Sequence, residues 1–147
     1  MSRIKIAIQK SGRLSEKSRA LLKECGIHIK TGKSNSLISV ATNFPVDILY
    51  LRDDDIPQYV EDGIADLGIL GENVVYETGC QVDVLKKLGF AGCRLSLAVP
   101  KNEKYTDVSY FQDKKIATSY PVTLSKFLQE QSVNAEIHTI SGSVEIA

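Results

Sequence analysis

Apolar residues follow two rhythms along this chain, and their alternation sets out its elements. Ile4 to Ile8, "IKIAI", is a short apolar run carrying one lysine; past "QKSG", Leu14, Leu21, Leu22 and Cys25 recur at helical spacing until Gly26. That pattern predicts strand, loop and helix. "SLISVAT" (36–42) and "VDILYL" (46–51) are β-branched and apolar, and the short "NFP" between them predicts a hairpin or near-hairpin. "ADLGIL" (65–70) reads as a buried strand, "ENVVYETG" as a helix ending at Gly79, and "VDVLKKLGF" and "CRLSLAVP" as two further strands. Pro100 and the polar run "KNEKYTD" separate a first lobe, residues 1–100, from the start of a second, residues 101–147. Beyond the break, "KKIAT", "PVTLSKFLQEQ" and "AEIHTI" repeat strand, helix, strand.

One stretch, "LRDDDIPQYVEDG", carries three consecutive aspartates. An aspartate just before "IPQYVEDG" offers a side-chain oxygen to the free amides of a helix start, Pro57 suits the first turn and Gly63 the stop. Negative charge there also complements the helix dipole. Adjacent carboxylates are poorly spaced to wrap a hard cation, so Asp53 to Asp55 are expected to start a helix rather than to bind metal. Strands alternating with helices predict an α/β fold with mostly parallel sheets. In such folds ligands sit beyond the carboxyl ends of the strands.

With 147 residues and 43% hydrophobic content, the chain can bury one sizeable core or two small ones. Eighteen basic residues balance eighteen acidic ones, so no global field holds nucleic acid or an anionic membrane. The N-terminus is too polar for a signal peptide and no apolar stretch is long enough to span a bilayer, which points to the cytosol. Three cysteines and two histidines form no zinc pattern; reduced, mostly buried thiols are expected. Phosphate-loop, GxGxxG and HExxH signatures are absent.

Four strand ends carry candidate chemistry. "QKSGR" supplies Lys10, Ser11, Gly12 and Arg13, a composition suited to phosphate and also to plain solvated surface. "DLGILGEN" brings Asp66, Gly71 and Glu72, carboxylates that either accept from a ribose hydroxyl, an adenine amine or water, or cap the next helix. In "ATSYP", Ser119 and Tyr120 precede Pro121; Ser119 is a helix cap or part of an anion site built with free amides. "ISGSVEIA" places Ser143 and Glu145 after the last strand. Arg94, inside an apolar run, should meet a carboxylate or an anionic ligand, with a structural ion pair the safer expectation.

Taken in order, "IAIQKSGRLSEKSRALLKECGI", "DILYLRDDDIPQYVEDGIADLGILGEN", "AGCRLSLAVP", "KKIATSYP" and "SGSVEIA" make the sequence resemble the ATP phosphoribosyltransferases, over nearly the whole chain and in their long, histidine-regulated form. The resemblance implies a two-lobed fold like the type II periplasmic binding proteins. It implies condensation of ATP with phosphoribosyl pyrophosphate, with Mg²⁺ on the substrate phosphates, to phosphoribosyl-ATP and pyrophosphate, the first step of histidine biosynthesis. It also implies histidine as feedback inhibitor of the full-length protein and a homo-oligomer, dimer to hexamer. By the same analogy Lys10, Arg13 and Arg94 go to nucleotide phosphates or ribose, Asp66, Glu72 and Glu145 to hydroxyls or base, and Ser11, Ser119 and Tyr120 line the cleft.

The sequence departs from that family in one respect. Members continue past the "SGSVE" region into a loop of the type D-x-V-S-T-G-x-T-L and then a regulatory domain, whereas this sequence stops at Ala147. A second lobe left incomplete, little or no transferase activity and no response to histidine are the corresponding expectations. The competing reading is a noncatalytic two-lobed small-molecule binding protein or subunit, since fold alone does not fix function.

Overall fold

In the computed structural model, which describes residues 2–30 and 36–146, the chain forms two compact units, Met1–Cys93 and Arg94–Ala147. The first unit runs β1 (Ile4–Gln9), α1 (Arg13–Glu24), β2 (Ile38–Val40), β3 (Val46–Leu51), α2 (Ile56–Glu61), β4 (Leu67–Ile69) and α3 (Glu72–Thr78). Its sheet has the order β2-β3-β1-β4, with β1 parallel to both β3 and β4 and only β2 antiparallel. The predicted hairpin is therefore the β2–β3 pair.

Strand alternation divides the core between the two faces of this sheet. Ile6 and Ile8 of β1 and Ile48 and Tyr50 of β3 point to one face and bury Leu22 of α1. Ala7 and Leu49 point to the other and meet Ile56 of α2 and Ala65. Ile8, Ile48 and Ile56 are fully buried, each contributing about 1.5–3 kcal/mol relative to an exposed position. The Arg19 guanidinium lies 4.4 Å from the Tyr50 ring centroid, fastening α1 to the sheet. α2 comes so close to β4 that a Cβ at Gly68 would stand 2.6 Å from Ile56 Cγ2. Only glycine admits that approach.

The second unit contains β5 (Lys115–Thr118), α4 (Pro121–Glu130) and β6 (Glu136–Thr139), with β5 and β6 parallel as the strand-helix-strand reading predicts. Its core is Phe111, Leu124, Leu128 and Val133, and Leu97 and Val99 pack against it. That packing draws the chain from Arg94 onward into the second unit, ahead of the Pro100 boundary expected from composition.

Several local expectations give way to the structure. No strand forms at "VDVLKKLGF" or "CRLSLAVP": a strand exists through its ladder, and no described segment pairs with these runs. Val84 and Leu85 stay in solvent, 58% and 76% exposed, while Leu97 and Val99 of the second run pack against the core of the second unit without joining a sheet. β4 is a three-residue edge strand rather than a buried one, and its Leu67 is exposed. Asp55 takes the N-cap position of α2 without a side-chain cap bond, while Asp53 Oδ1 accepts from the Asp54 amide at 3.0 Å, so the aspartates turn the chain rather than cap the helix. Cys25 and Cys93 are exposed and Cys80 half-buried, contrary to the buried thiols expected, because all three fall at helix ends or in irregular chain. Among the described residues no helix is long and apolar enough to cross a membrane.

Candidate functional site

Parallel pairing decides where the loops of the first unit meet. Gln9 lies opposite Leu51 and Ile8 opposite Ile69, so β1, β3 and β4 all end on one edge of the sheet. The Lys10 amide donates to the Leu51 carbonyl at 2.8 Å and ties "QKSGR" to "RDDD". Gly12, at φ 90°, turns the chain from β1 into α1, and no side chain caps that helix, so its first-turn amides are left to solvent or a ligand. Lys10, Ser11 and Arg13 are exposed on this edge. Gly71 and Glu72 leave β4 beside them and start α3.

Lys87 joins the same edge. Its Nζ stands 3.0 Å from Glu72 Oε1, with the two side chains 76% and 66% exposed. The apolar pattern places Lys87 in the body of a strand, and nothing in "VLKKLG" marks which of its lysines turns back to a strand end. Arg52, 3.8 Å from Asp54, adds a further exposed pair at the end of β3.

Asp66 does not join this group. It lies at the amino end of β4, where its Oδ2 accepts from the Lys5 amide at 2.8 Å. Residue types in "DLGILGEN" suggested one cluster; the strand running between Asp66 and Gly71 puts them at opposite ends.

In the second unit Thr118 and Thr139 are in register and the Ile140 amide donates to the Thr118 carbonyl at 3.0 Å, so "SYP" and "SGSVE" leave the β5–β6 pair together. The structure thus brings Ser119 and Tyr120 to the same strand edge as the loop holding Ser143 and Glu145. Tyr120, not Ser119, occupies the N-cap of α4, and the buried Thr118 hydroxyl accepts the Tyr120 amide at 2.9 Å. Ser119 is consequently exposed and not used as a cap. Ser143 has φ 52°, and a short 3₁₀ turn, Val144–Ile146, presents Glu145 to solvent. A shallow groove of about 500 Å³ between α4 and β6, lined by Val122, Lys126, Ile137 and Thr139 among others, contains none of the predicted site residues.

Arg94 is exposed and forms no ion pair among the described residues. The apolar strand that would have made it costly to leave unpaired does not form, so the expected structural ion pair is not needed.

The described residues include no group of three or more His, Cys, Asp or Glu able to hold a metal ion. What the first edge offers is exposed cations, glycine-opened backbone and the carboxylates of Glu72 and of the aspartates after β3, a set in which the cations suit a phosphorylated ligand and the carboxylates its hydroxyl groups.

A family model described as ATP phosphoribosyltransferase matches residues 52–147, most of the chain. The chain belongs to the ATP phosphoribosyltransferase family. An ATP phosphoribosyltransferase of Cytophaga hutchinsonii is 56% identical over 144 residues, covering 98% of this chain and 50% of the relative. Another, from Parabacteroides distasonis, is 54% identical with the same coverage. The chain spans about half the length of the curated ATP phosphoribosyltransferases it matches. Among solved structures, the ATP phosphoribosyl transferase (HisG:HisZ) complex from Thermotoga maritima matches 98% of this chain and 67% of that one, with a TM-score of 0.68 at 24% identity. That likeness is one of fold.

Proposed function

We propose that this polypeptide serves the condensation of ATP with phosphoribosyl pyrophosphate to phosphoribosyl-ATP and pyrophosphate, the first step of histidine biosynthesis, in the cytoplasm. The observation that carries the proposal is the convergence of Lys10, Arg13 and Glu72 on one strand edge of a chain 56% identical to an ATP phosphoribosyltransferase. The two-lobed, type II periplasmic-binding-protein-like architecture is part of the proposal, supported by the fold likeness. So is a homo-oligomer, dimer to hexamer, under histidine feedback in the full-length protein; the neighbour from Thermotoga maritima is itself described as a complex.

The reaction asks for positioning and electrostatics rather than a covalent nucleophile. N1 of ATP displaces pyrophosphate at the anomeric carbon, and two highly anionic substrates must be held in line while positive charge develops on the ribose. Lys10, Arg13 and Arg94 are proposed to pair with phosphate oxygens, and the open backbone at Gly12 and Gly71 lets a substrate approach. Glu72 and Glu145 accept from ribose hydroxyls or the base, and Ser11, Ser119, Tyr120 and Ser143 contribute hydroxyls. Asp66 is left out of this assignment, since its carboxylate is engaged with Lys5. Mg²⁺ would arrive on the substrate phosphates, keep most of its waters and supply charge neutralisation for the leaving pyrophosphate.

The test is a calorimetric titration of the chain with ATP and Mg²⁺, beside Arg13→Ala and Glu72→Ala. Saturable binding that either substitution weakens by about tenfold or more, with the fold intact, is the expected result. ATP binding by the parent chain that neither substitution changes would remove the site from this edge. No ATP binding by the folded chain, or by a chain of the relatives' length, would overturn the functional reading.

A further inference from the structure

Lys87 and Glu72 form an ion pair at the strand edge where the proposed phosphate ligands gather. Glu72 is the first residue of α3, directly past the end of β4, and β4 lies beside β1 in register. The Lys87 ammonium, 3.0 Å from Glu72 Oε1, is therefore delivered to the same edge as Lys10 and Arg13, although it comes from a part of the chain far from either in sequence. Its backbone belongs to no strand or helix, so the ladder does not hold it there.

The strength of the pair decides what it can do. Both side chains are mostly in water, and exposed ion pairs of this kind are weak because solvent screens them and each partner gives up side-chain freedom. A buried pair would lock Lys87 in place; this one holds the ammonium near the edge and releases it at small cost. A di- or triphosphate offers several charged oxygens at once, and an ammonium with three rotatable donors suits them better than a single carboxylate.

We infer that Lys87 is a further anion-binding residue of this edge, held by Glu72 in the free protein and transferred to a substrate phosphate when the site fills. The inference rests on the proposed phosphate site and adds to it a cation from the irregular segment after α3. It gives Glu72 a second effect: by pairing with Lys87 it competes with the incoming anion.

Inorganic pyrophosphate is the probe, because it carries the charge without ribose or base for Glu72 to contact. At low ionic strength, Lys87→Gln weakens pyrophosphate binding by roughly three- to tenfold, the scale of one lost exposed charge pair or charge-assisted contact. Glu72→Gln tightens it by about two- to fivefold, since Lys87 no longer has a competing partner. The double variant binds like Lys87→Gln alone. Both side chains are exposed, so the thermal melts of the variants stay with that of the parent. Unchanged affinity in Lys87→Gln, weaker binding in Glu72→Gln, or no pyrophosphate uptake by the folded parent chain overturns the inference. ATP titrated in parallel separates the two readings. Pyrophosphate behaving as described with no ATP bound sinks the transferase proposal alone, and ATP bound with pyrophosphate indifferent to Lys87 sinks this inference alone.

Discussion

Asp66 and Lys5 are joined by reciprocal hydrogen bonds: the Lys5 amide donates to Asp66 Oδ2 at 2.8 Å, and the Asp66 amide donates to the Lys5 carbonyl at 2.9 Å. The carboxylate thus continues the β1–β4 pairing beyond the short strand itself. Asp66→Ala is expected to lower the stability of the first unit by about 1 kcal/mol, the net worth of one such bond, and to leave ATP affinity unchanged. A thermal melt and an ATP titration of the same variant check this. Weaker nucleotide binding with an unchanged melt would return Asp66 to the site.

Gly68 tests how α2 is seated. A methyl group there would meet Ile56 Cγ2 at 2.6 Å with Val60 Cγ2 at 3.3 Å, so Gly68→Ala must push the helix from the sheet or force Ile56 off its rotamer. A loss of about 1–3 kcal/mol is expected, read as a shift in the urea midpoint. A neutral result would mean that α2 slides outward freely.

Charge at the β1 end has its own signature. If Arg13 pairs with nucleotide phosphate, raising the ionic strength weakens ATP binding in the parent chain and weakens it less steeply in Arg13→Ala. Equal salt slopes in the two proteins would place Arg13 outside the contact.

Asp107 gives a pH dependence whose sign can be worked out. Its Oδ1 accepts from the Ser109 hydroxyl and from the Ser109 amide, the latter at 2.8 Å, capping the 3₁₀ turn Val108–Phe111. The hydroxyl first and the amide second hold the carboxyl below its ordinary range, against a small opposing effect of burial. A group depressed on folding stabilises fully above its unfolded pKa and loses that contribution as the pH falls through the folded one. The melting temperature of the parent should therefore exceed that of Asp107→Ala at neutral pH, and the gap should close as the pH falls below the ordinary carboxylate range. A gap independent of pH would show that packing of the turn, and not the charged cap, is responsible.

The thiols are ordered by exposure. Cys25 and Cys93 are expected to react with a maleimide ahead of Cys80, whose Sγ sits 3.7 Å from Gln58 Oε1 and is half-buried. Mass spectrometry of partly labelled chain reads the order directly.

What the sequence determined by itself is local, or repeats at short range. The apolar spacing of "IKIAI", "VDILYL", "KKIAT" and the helix "PVTLSKFLQEQ" specifies β1, β3, β5 and α4, because side-chain period and turn residues act within a few positions. The motifs from "QKSGR" to "SGSVE" likewise carry the family, which the relatives bear out. What the tertiary structure decided is which of those residues share a place. Asp66 and Glu72 are six positions apart in one motif, yet a strand separates them, while Lys87 reaches Glu72 from a segment that the pattern reads as a strand. Strand identity fails there for the same reason: Val84 and Leu85 have the composition of a strand, but a strand requires a partner's hydrogen bonds, which no local pattern supplies. Adjacency across a sheet is set by pairing register and crossover, properties of the assembled unit, and the candidate site follows from them.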